Sequence, residues 1–171
     1  MTGPDRPPLG DLRVIDISTV LAGPHCARYL GDFGADVIKV ERPDGGDSLR
    51  NMAWRDPRDG AGLWWKMVNR NKRSITLDLK DSEDVEVLLR LVDDADVLVE
   101  NFRPGAMARL GLDHATLAAA NPRLIYASIT GFGQSGPYAD GRVYDAVIQA
   151  VSGISASHPS QASGEPTLLA T

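Results

Sequence analysis

The chain has 171 residues, which corresponds to one domain at the usual ~150 residues per domain. Its 43% hydrophobic and 24% charged residues are ordinary values for a globular protein and exclude a disordered or fibrous chain. The net charge is −5, from 18 Lys and Arg against 23 Asp and Glu, so nothing draws the chain generally to nucleic acid or to an anionic membrane. We therefore expect neither partner, and any anionic ligand must be bound by local basic residues.

The single cysteine, Cys26, excludes an internal disulfide and is too few for a structural zinc site. One thiol favours a reducing compartment, so we expect a cytoplasmic protein without a bound metal. Residues 1–10 are polar and Pro-rich, lack the apolar stretch of a signal peptide, and are expected to form a flexible lead. The longest uncharged stretch, residues 146–164, is interrupted by serines and Pro159, which argues against a transmembrane span.

Runs of β-branched and other apolar residues predict five strands, over residues 12–17, 35–41, 74–79, 95–100 and 124–129. Helices are predicted over residues 24–30, from a cap at Asp81 or Ser82, over residues 114–120 and over residues 144–151. This alternation predicts an α/β fold with a mainly parallel sheet and flanking helices. The short helix between the first two strands predicts a parallel pair with a right-handed crossover.

The printed sequence ends in an apolar run, residues 167–171, without a polar tail or a helix stop signal. The terminus of a complete domain is normally exposed and tolerant of change. We therefore expect these residues to belong to the N-terminal part of a longer chain. The alternative is an ordinary terminal strand or helix.

Residues 131–136 match the G-x-G-x-x-G pattern of dinucleotide-binding proteins and follow a predicted strand. In those proteins the motif opens a helix, and an acidic residue ends a second strand about 20 residues later. Here Pro137 follows at once, no helix is predicted to begin, and no such acidic residue is present. The pattern therefore predicts a Gly-rich turn, and we expect no bound NAD.

The sequence predicts neither a nucleophile triad nor a metal site. The serines lack the G-x-S-x-G setting, and the three histidines are scattered. Cys26 lies close to a predicted helix start, but its apolar segment favours a buried small side chain over a reactive thiolate. The acidic run at Asp93, Asp94 and Asp96 is typical of a solvated helix end.

Basic residues stand close to the ends of several predicted strands. They are Arg42, the cluster Arg70, Lys72 and Arg73, then Lys80, Arg103, Arg109 and Arg142. Ligands of open α/β sheets bind at the carboxyl ends of the strands, so these side chains would converge on one polyanionic ligand that carries phosphates. Ordinary solvated surface charges explain the spacing equally well, and spacing alone leaves both interpretations open.

Several separate segments resemble family III CoA-transferases, the group of formyl-CoA transferase, carnitine CoA-transferase and α-methylacyl-CoA racemase. These segments are residues 12–16, 22–24, 30–41, 71–75, 96–105 and 131–137. The resemblance runs in order from about Leu9 to the end of the sequence. It implies a Rossmann-like CoA-binding domain over residues 11–171, in a longer chain that forms interlocked homodimers.

The resemblance also implies which residues contact CoA. They are Leu21, Ala22, Arg42, Leu77, Lys80, Asn101, Phe102, Arg103, Arg109, Arg142, Tyr144 and Asp145. The basic members of this set are the residues already noted near strand ends. A CoA thioester carries several phosphate charges, which suit the fixed fork geometry of arginine.

The implied activity is transfer of CoA from an acyl-CoA to a carboxylic acid, through a nucleophilic aspartate that forms a mixed anhydride and then an enzyme–CoA thioester. The resemblance places this aspartate a few residues beyond Thr171, so residues 1–171 alone are expected to be inactive, with Tyr144 and Asp145 in supporting roles. One alternative is a 2-methylacyl-CoA racemase, although racemases have a histidine where this sequence has Tyr144. Another alternative is a CoA-binding protein without catalytic activity.

Overall fold

A computed structural model describes residues 7–160 and 163–169, which fall into two compact units divided after Ile129. The first unit contains β1 (Arg13–Asp16), α1 (Ala22–Asp32), β2 (Asp36–Glu41), a 3-10 turn (Ser48–Arg50), α2 (Leu63–Asn69), β3 (Lys72–Thr76), α3 (Ser82–Asp93), β4 (Val97–Glu100), α4 (Ala106–Arg109), α5 (His114–Ala120) and β5 (Ile125–Ser128). The second unit contains α6 (Asp145–Val151) and α7 (Ile154–Ser157).

The five strands form one sheet in the order β3-β2-β1-β4-β5, and every neighbouring pair is parallel. In the centre of the sheet, Ile15 on β1 is in register with Ile38 on β2 and with Leu98 on β4. Parallel neighbours require crossover connections, and helices lie in the segments that join the strands. The predicted α/β fold with a parallel sheet is confirmed.

Apolar residues cover both faces of the sheet, as expected for parallel strands. Side chains alternate between the faces, so Ile15 and Leu98 join one buried cluster, with Leu88 of α3 and Leu117 of α5. Their chain neighbours join a second cluster on the other face, which consists of Val14, Val97 and Val99 with Ala27 of α1 and further residues. The two clusters fix the sheet rigidly between its helices and so fix the positions of the strand ends.

Some helix ends match the prediction closely. Asp81 caps α3 by accepting hydrogen bonds from the N–H groups of Glu83 and Asp84, and α5 has the predicted bounds. Helix α1 spans Ala22–Asp32 and so extends two residues beyond the predicted 24–30 at each end. Residues 63–69, for which the sequence predicts no helix or strand, form α2.

The third strand is shifted from its predicted position. It spans Lys72–Thr76 rather than residues 74–79, because Lys72 and Arg73 extend along β2 and their charges pair with Asp16 of β1 and Asp36 of β2. The backbone N–H of Leu77 still donates to the carbonyl of Glu41, after which residues 78–81 turn into α3. Charged residues can therefore form a strand when carboxylates on other strands pair with them.

The second unit begins with an irregular segment. Residues 131–136 form bends, and the first helix of this unit begins at Asp145, so the predicted Gly-rich turn is confirmed. In α6, Gln149 is buried, and its side chain donates a hydrogen bond to the Leu169 carbonyl and accepts one from the Leu169 N–H.

Within the described ranges, no helix is long and apolar enough to cross a membrane.

Candidate functional site

The carboxyl ends of all five strands lie at one edge of the sheet because the strands are parallel. β1 pairs with β2 on one side and with β4 on the other, so the direction of strand order reverses between β1 and β4. Open α/β sheets bind ligands in the crevice at such a reversal. Two loops flank this point, residues 17–21 after β1 and residues 101–105 after β4.

The two loops are joined directly across the reversal point. The side chain of Asn101 accepts a hydrogen bond from the N–H of Thr19 at 2.8 Å and donates one to the carbonyl of Thr19 at 2.7 Å. The start of α1 packs tightly beneath them, since a Cβ at Gly23 would overlap the side chain of Ser18. These contacts fix the first loop at the start of α1, where Leu21 and Ala22 lie.

Buried charges support the first loop from below. Asp16 is fully buried at the end of β1 and accepts hydrogen bonds from Ser18 and from the ammonium of Lys72, the latter at 2.8 Å. The ammonium of Lys39, 1% exposed, lies 3.6 Å from the Asp16 carboxylate and donates to the carbonyl of Ser18. Burial lowers the pKa of Lys72, although the neighbouring Asp16 carboxylate opposes this change. Each buried charge therefore has a partner of opposite sign.

Glu41, at the end of β2, organises the next part of the edge. Its carboxylate accepts hydrogen bonds from Arg50, the N–H of Asp47, Ser74 and the indole of Trp65. Burial alone would raise the pKa of Glu41, but these hydrogen bonds, Arg50 first, outweigh it and lower the pKa to about 2. The guanidinium of Arg50 thus pairs with Glu41 and stacks on Trp65, 3.7 Å from the ring centre.

Three arginines near this edge have a different environment. Arg42 follows β2, Arg103 follows β4, and Arg109 ends α4; all three are exposed. Within the residues that the structure describes, no ion pair includes any of them, whereas Arg50, Arg70 and Arg73 each pair with a carboxylate. The Nε of Arg42 donates to the carbonyl of Gly46 at 2.9 Å, which orients the guanidinium without neutralising it. The edge therefore presents positive charge suited to a phosphate-bearing ligand.

The other predicted contacts in the first unit lie in varied settings. Leu21 and Asn101 are half-buried, as is Phe102, which packs against the larger apolar cluster. Lys80 is exposed in the turn after β3, not at the end of a strand. Leu77 is 4% exposed and belongs to the core, and its N–H donates to the carbonyl of Glu41, so its predicted contact with a ligand is limited to a small exposed part of the residue.

The cluster of Arg70, Lys72 and Arg73 does not join this edge, and its interpretation as a strand-end phosphate site is wrong. Lys72 and Arg73 begin β3 instead of preceding it. Arg70 pairs with Asp32 at 2.7 Å, Arg73 with Asp36 at 2.6 Å, and Lys72 with Asp16 at 2.8 Å. The charges are neutralised within the fold.

Three predicted contacts belong to the second unit. Arg142 is exposed in the segment before α6, Tyr144 caps the helix and is 81% exposed, and Asp145 opens it. The Asp145 carboxylate accepts a hydrogen bond from Gln149 one turn later. Tyr144 is thus not packed at the helix start, and its ring is free to contact a ligand.

Cys26 is half-buried, which agrees with the predicted structural role of its side chain. It packs against the smaller apolar cluster, and burial, followed by the charge of Asp16, raises the pKa of its thiol. A thiol with a raised pKa is a poor nucleophile. At the opposite edge of the sheet, a cavity of ≈ 460 Å³ is lined by Asp11, Asp36, Asp94, Asp96, Arg13, Gly10 and Leu12. Its excess of carboxylates is unsuited to a polyphosphate.

Sequence reasoning missed Asp47 and Lys39, which hold the loops of the site. Lys39 interrupts an apolar strand between Ile38 and Val40, and a lysine in a strand buried on both faces requires a buried partner. This signal was present in the sequence. The identity of the partners was not, because Asp47 and Asp16 meet Lys39 only through the folded sheet.

Comparison with known proteins decides the family. The model of CoA-transferase family III matches residues 9–171.

The chain belongs to CoA-transferase family III.

Among curated members, the chain is 50% identical over 155 residues to a succinate–glutarate CoA-transferase of Agrobacterium fabrum, covering 86% of this chain and 38% of that protein. It is 49% identical over 156 residues to an acetyl-CoA:oxalate CoA-transferase of Acetobacter aceti, covering 90% of this chain and 39% of that protein. The crystal structure of a CaiB/BaiF family protein from Brucella suis superposes with a TM-score of 0.90 at 41% identity, over 98% of this chain and 44% of that one. The chain therefore spans less than half the length of these family III relatives.

Proposed function

We propose that the protein containing this chain is a CoA-transferase that moves CoA from an acyl-CoA thioester to a carboxylic acid, and that the present residues bind the CoA. The observation that carries the proposal is the position of Arg42, Arg103 and Arg109 at the carboxyl edge, exposed and without ion-pair partners among the described residues. Family membership supplies the chemistry, since the two curated relatives are both named CoA-transferases.

The proposed contacts fall into two groups. In the first unit, the three arginines would hold the phosphates, with Lys80 adding charge, while Leu21, Ala22, Leu77, Asn101 and Phe102 contact the remainder of CoA. In the second unit, Arg142, Tyr144 and Asp145 cluster at the start of α6. Arginine forms paired hydrogen bonds with phosphate oxygens, which gives both charge and orientation.

The proposed reaction uses an aspartate that family resemblance places beyond Thr171. Its carboxylate attacks the donor thioester carbonyl, forms a mixed anhydride and releases CoA as a thiolate. The thiolate attacks the aspartyl carbonyl and expels the donor acid, which leaves an enzyme–CoA thioester. The acceptor carboxylate then attacks this thioester, and the released thiolate attacks the acceptor carbonyl of the new anhydride, which forms the product thioester and restores the aspartate. Backbone N–H groups must stabilise each oxyanion.

The partners in this proposal are an acyl-CoA donor, a carboxylic acid acceptor and a second copy of the whole chain in an interlocked homodimer. The relatives named above suggest the first pairs to test, which are succinyl-CoA with glutarate and acetyl-CoA with oxalate.

The test uses protein expressed from the complete gene. Each donor and acceptor pair is incubated with the protein, the new thioester is followed by mass spectrometry, and the protein is examined for a covalent CoA adduct that hydroxylamine removes. Transfer together with the adduct supports the proposal. Binding of CoA without transfer or adduct indicates a non-catalytic CoA-binding protein. Exchange of the α-proton of a 2-methylacyl-CoA with deuterium, without transfer, indicates a racemase.

A further inference from the structure

Asp47 connects two loops that carry predicted CoA contacts. We name these the Val20 loop, residues 17–21 after β1, and the Arg42 loop, residues 42–47 after β2. Asp47 is 3% exposed, and its carboxylate accepts hydrogen bonds from the N–H of Val20 at 3.1 and 3.3 Å and from the N–H of Leu49 at 3.0 Å. A side chain at the end of one loop therefore fixes the backbone of the other.

The backbone at Val20 needs such a restraint. Its φ is 65°, in the left-handed region, which β-branched residues strongly disfavour. Val20 is 37% exposed and belongs to neither apolar cluster, so its side chain is not held by the core. Strained residues of this kind persist only where the surroundings enforce them, and they concentrate at functional sites.

Lys39 strengthens the restraint through charge. Its buried ammonium lies 3.7 Å from the Asp47 carboxylate and also donates to the carbonyl of Ser18 in the Val20 loop. It therefore keeps a compensating charge beside the buried Asp47 and restrains the same loop at a second point.

The Arg42 loop is held at the same place. The N–H of Asp47 donates to the carboxylate of Glu41 at 2.9 Å, and the Nε of Arg42 donates to the carbonyl of Gly46 at 2.9 Å. The Arg42 guanidinium is thus oriented by the carbonyl of Gly46, and Val20 is held by the carboxylate of the next residue, Asp47.

We propose that Asp47 is a positioning residue for the CoA ligand: it enforces the left-handed conformation of Val20 and ties the Val20 loop to the Arg42 loop, without itself touching the ligand. This proposal rests on the proposed function, because it takes CoA as the ligand of these loops. It predicts that CoA affinity depends on the Asp47 carboxylate through the backbone of Val20.

The decisive variants separate restraint from folding. Asp47→Ala removes the acceptor of the Val20 and Leu49 N–H groups and is expected to weaken CoA binding by roughly tenfold or more, the effect of losing hydrogen bonds to a charged group. Asp47→Asn keeps an oxygen that can accept from Val20 and is expected to bind between Asp47→Ala and wild type. Asp56→Asn is the matched control, because Asp56 is a buried loop carboxylate, 2% exposed, that bonds Arg58 and Lys66 instead of either loop.

A second substitution tests the route through Val20. Glycine adopts a positive φ without steric penalty, so Val20→Gly no longer requires Asp47 to enforce that conformation. The double variant Asp47→Ala with Val20→Gly is expected to recover at least about threefold of the lost affinity. A purely structural role of Asp47 would give no such recovery, since Val20→Gly adds no packing.

Calorimetric titration of CoA into the protein from the complete gene measures these affinities, at a temperature where each variant is folded by circular dichroism. Wild-type affinity in both Asp47→Ala and Asp47→Asn would overturn the proposal, as would a double variant that binds no better than Asp47→Ala. If wild type itself does not bind CoA, the proposed function fails, and hydrogen exchange at the Val20 amide then decides the restraint separately. Faster exchange there in Asp47→Ala supports it, and unchanged exchange overturns it.

Discussion

The side chain of Asn101 hydrogen-bonds both the N–H and the carbonyl of Thr19, with distances of 2.8 and 2.7 Å, and so joins β4 to the loop after β1 where the strand order reverses. The two residues are 82 positions apart in sequence. An amide side chain matches this arrangement because it carries one donor and one acceptor in one plane. The pair fixes the two loops to each other at the carboxyl edge of the sheet.

Replacing Asn101 tests this junction. Asn101→Ala loses both hydrogen bonds and is expected to lower the stability of the protein by about 1 kcal/mol. Asn101→Asp keeps the acceptor for the Thr19 N–H but places a carboxylate oxygen against the Thr19 carbonyl, so it is expected to be at least as unstable. Thermal unfolding measures both, with Asn51→Ala as an exposed control. An Asn101→Asp variant as stable as wild type would contradict the assigned role of the donor.

Glu41 predicts a specific dependence of stability on pH. Its pKa falls from an ordinary 4.5 to about 2 on folding, so the folded state binds the proton more weakly than the unfolded state. The stability that this group contributes, at most about 3 kcal/mol, is present above pH 4.5 and is lost as the pH falls toward 2. The Glu41→Gln variant should therefore be less stable than wild type at pH 7, and the difference should shrink below pH 4.5. A difference that stays constant from pH 7 to pH 3 would contradict this account.

Asn121 is predicted to be a stability determinant at a distance from the site. Its buried side chain donates to the carbonyls of Val92 at 2.9 Å and Ala95 at 2.8 Å, where α3 gives way to β4. Asn121→Ala leaves these carbonyls without that donor and is expected to cost about 1–3 kcal/mol. Denaturant unfolding measures the loss, and hydrogen exchange should accelerate in the last turn of α3. Equal exchange in both proteins would show that the bonds contribute nothing.

Gln149 is expected to hold the segment around Leu169. Its amide donates to the Leu169 carbonyl at 3.0 Å and accepts from the Leu169 N–H at 2.7 Å. In Gln149→Ala the Leu169 N–H should exchange with solvent at least about tenfold faster, because it loses its acceptor. Val147→Ala on the same helix is the control, since Val147 is partly exposed and carries no polar group.

The fold followed from local sequence where local signals were strong. Apolar β-branched runs located β1, β2, β4 and β5, and Asp81 correctly marked the start of α3. The strand β3 was displaced because its charged residues, Lys72 and Arg73, are stabilised by aspartates on other elements. Local propensity contains no information about such partners.

The sequence predicted only part of the candidate site, because it does not show which charged residues pair with each other in the fold. Arg42 directly follows β2 and Arg103 lies three residues after the end of β4, so both are placed at the carboxyl edge once the sheet is parallel. Arg70 also stands near a strand, yet it is neutralised by Asp32, a pairing across 38 residues. The restraint of Val20 by Asp47 spans 27 residues and exists only when β1 and β2 are adjacent. Sequence spacing locates charges, but the fold decides which charges remain unpaired.

The most direct test of the account is the affinity for CoA of protein from the complete gene, measured by calorimetric titration for wild type, Arg42→Gln, Arg103→Gln and the control Arg123→Gln. Arg123 is exposed and precedes β5, so it lies at the opposite edge of the sheet. The account predicts that each of the first two substitutions weakens binding by roughly tenfold, as expected when an arginine–phosphate contact is lost, while Arg123→Gln leaves binding unchanged. Equal affinity in all four proteins would contradict a CoA site at the carboxyl edge.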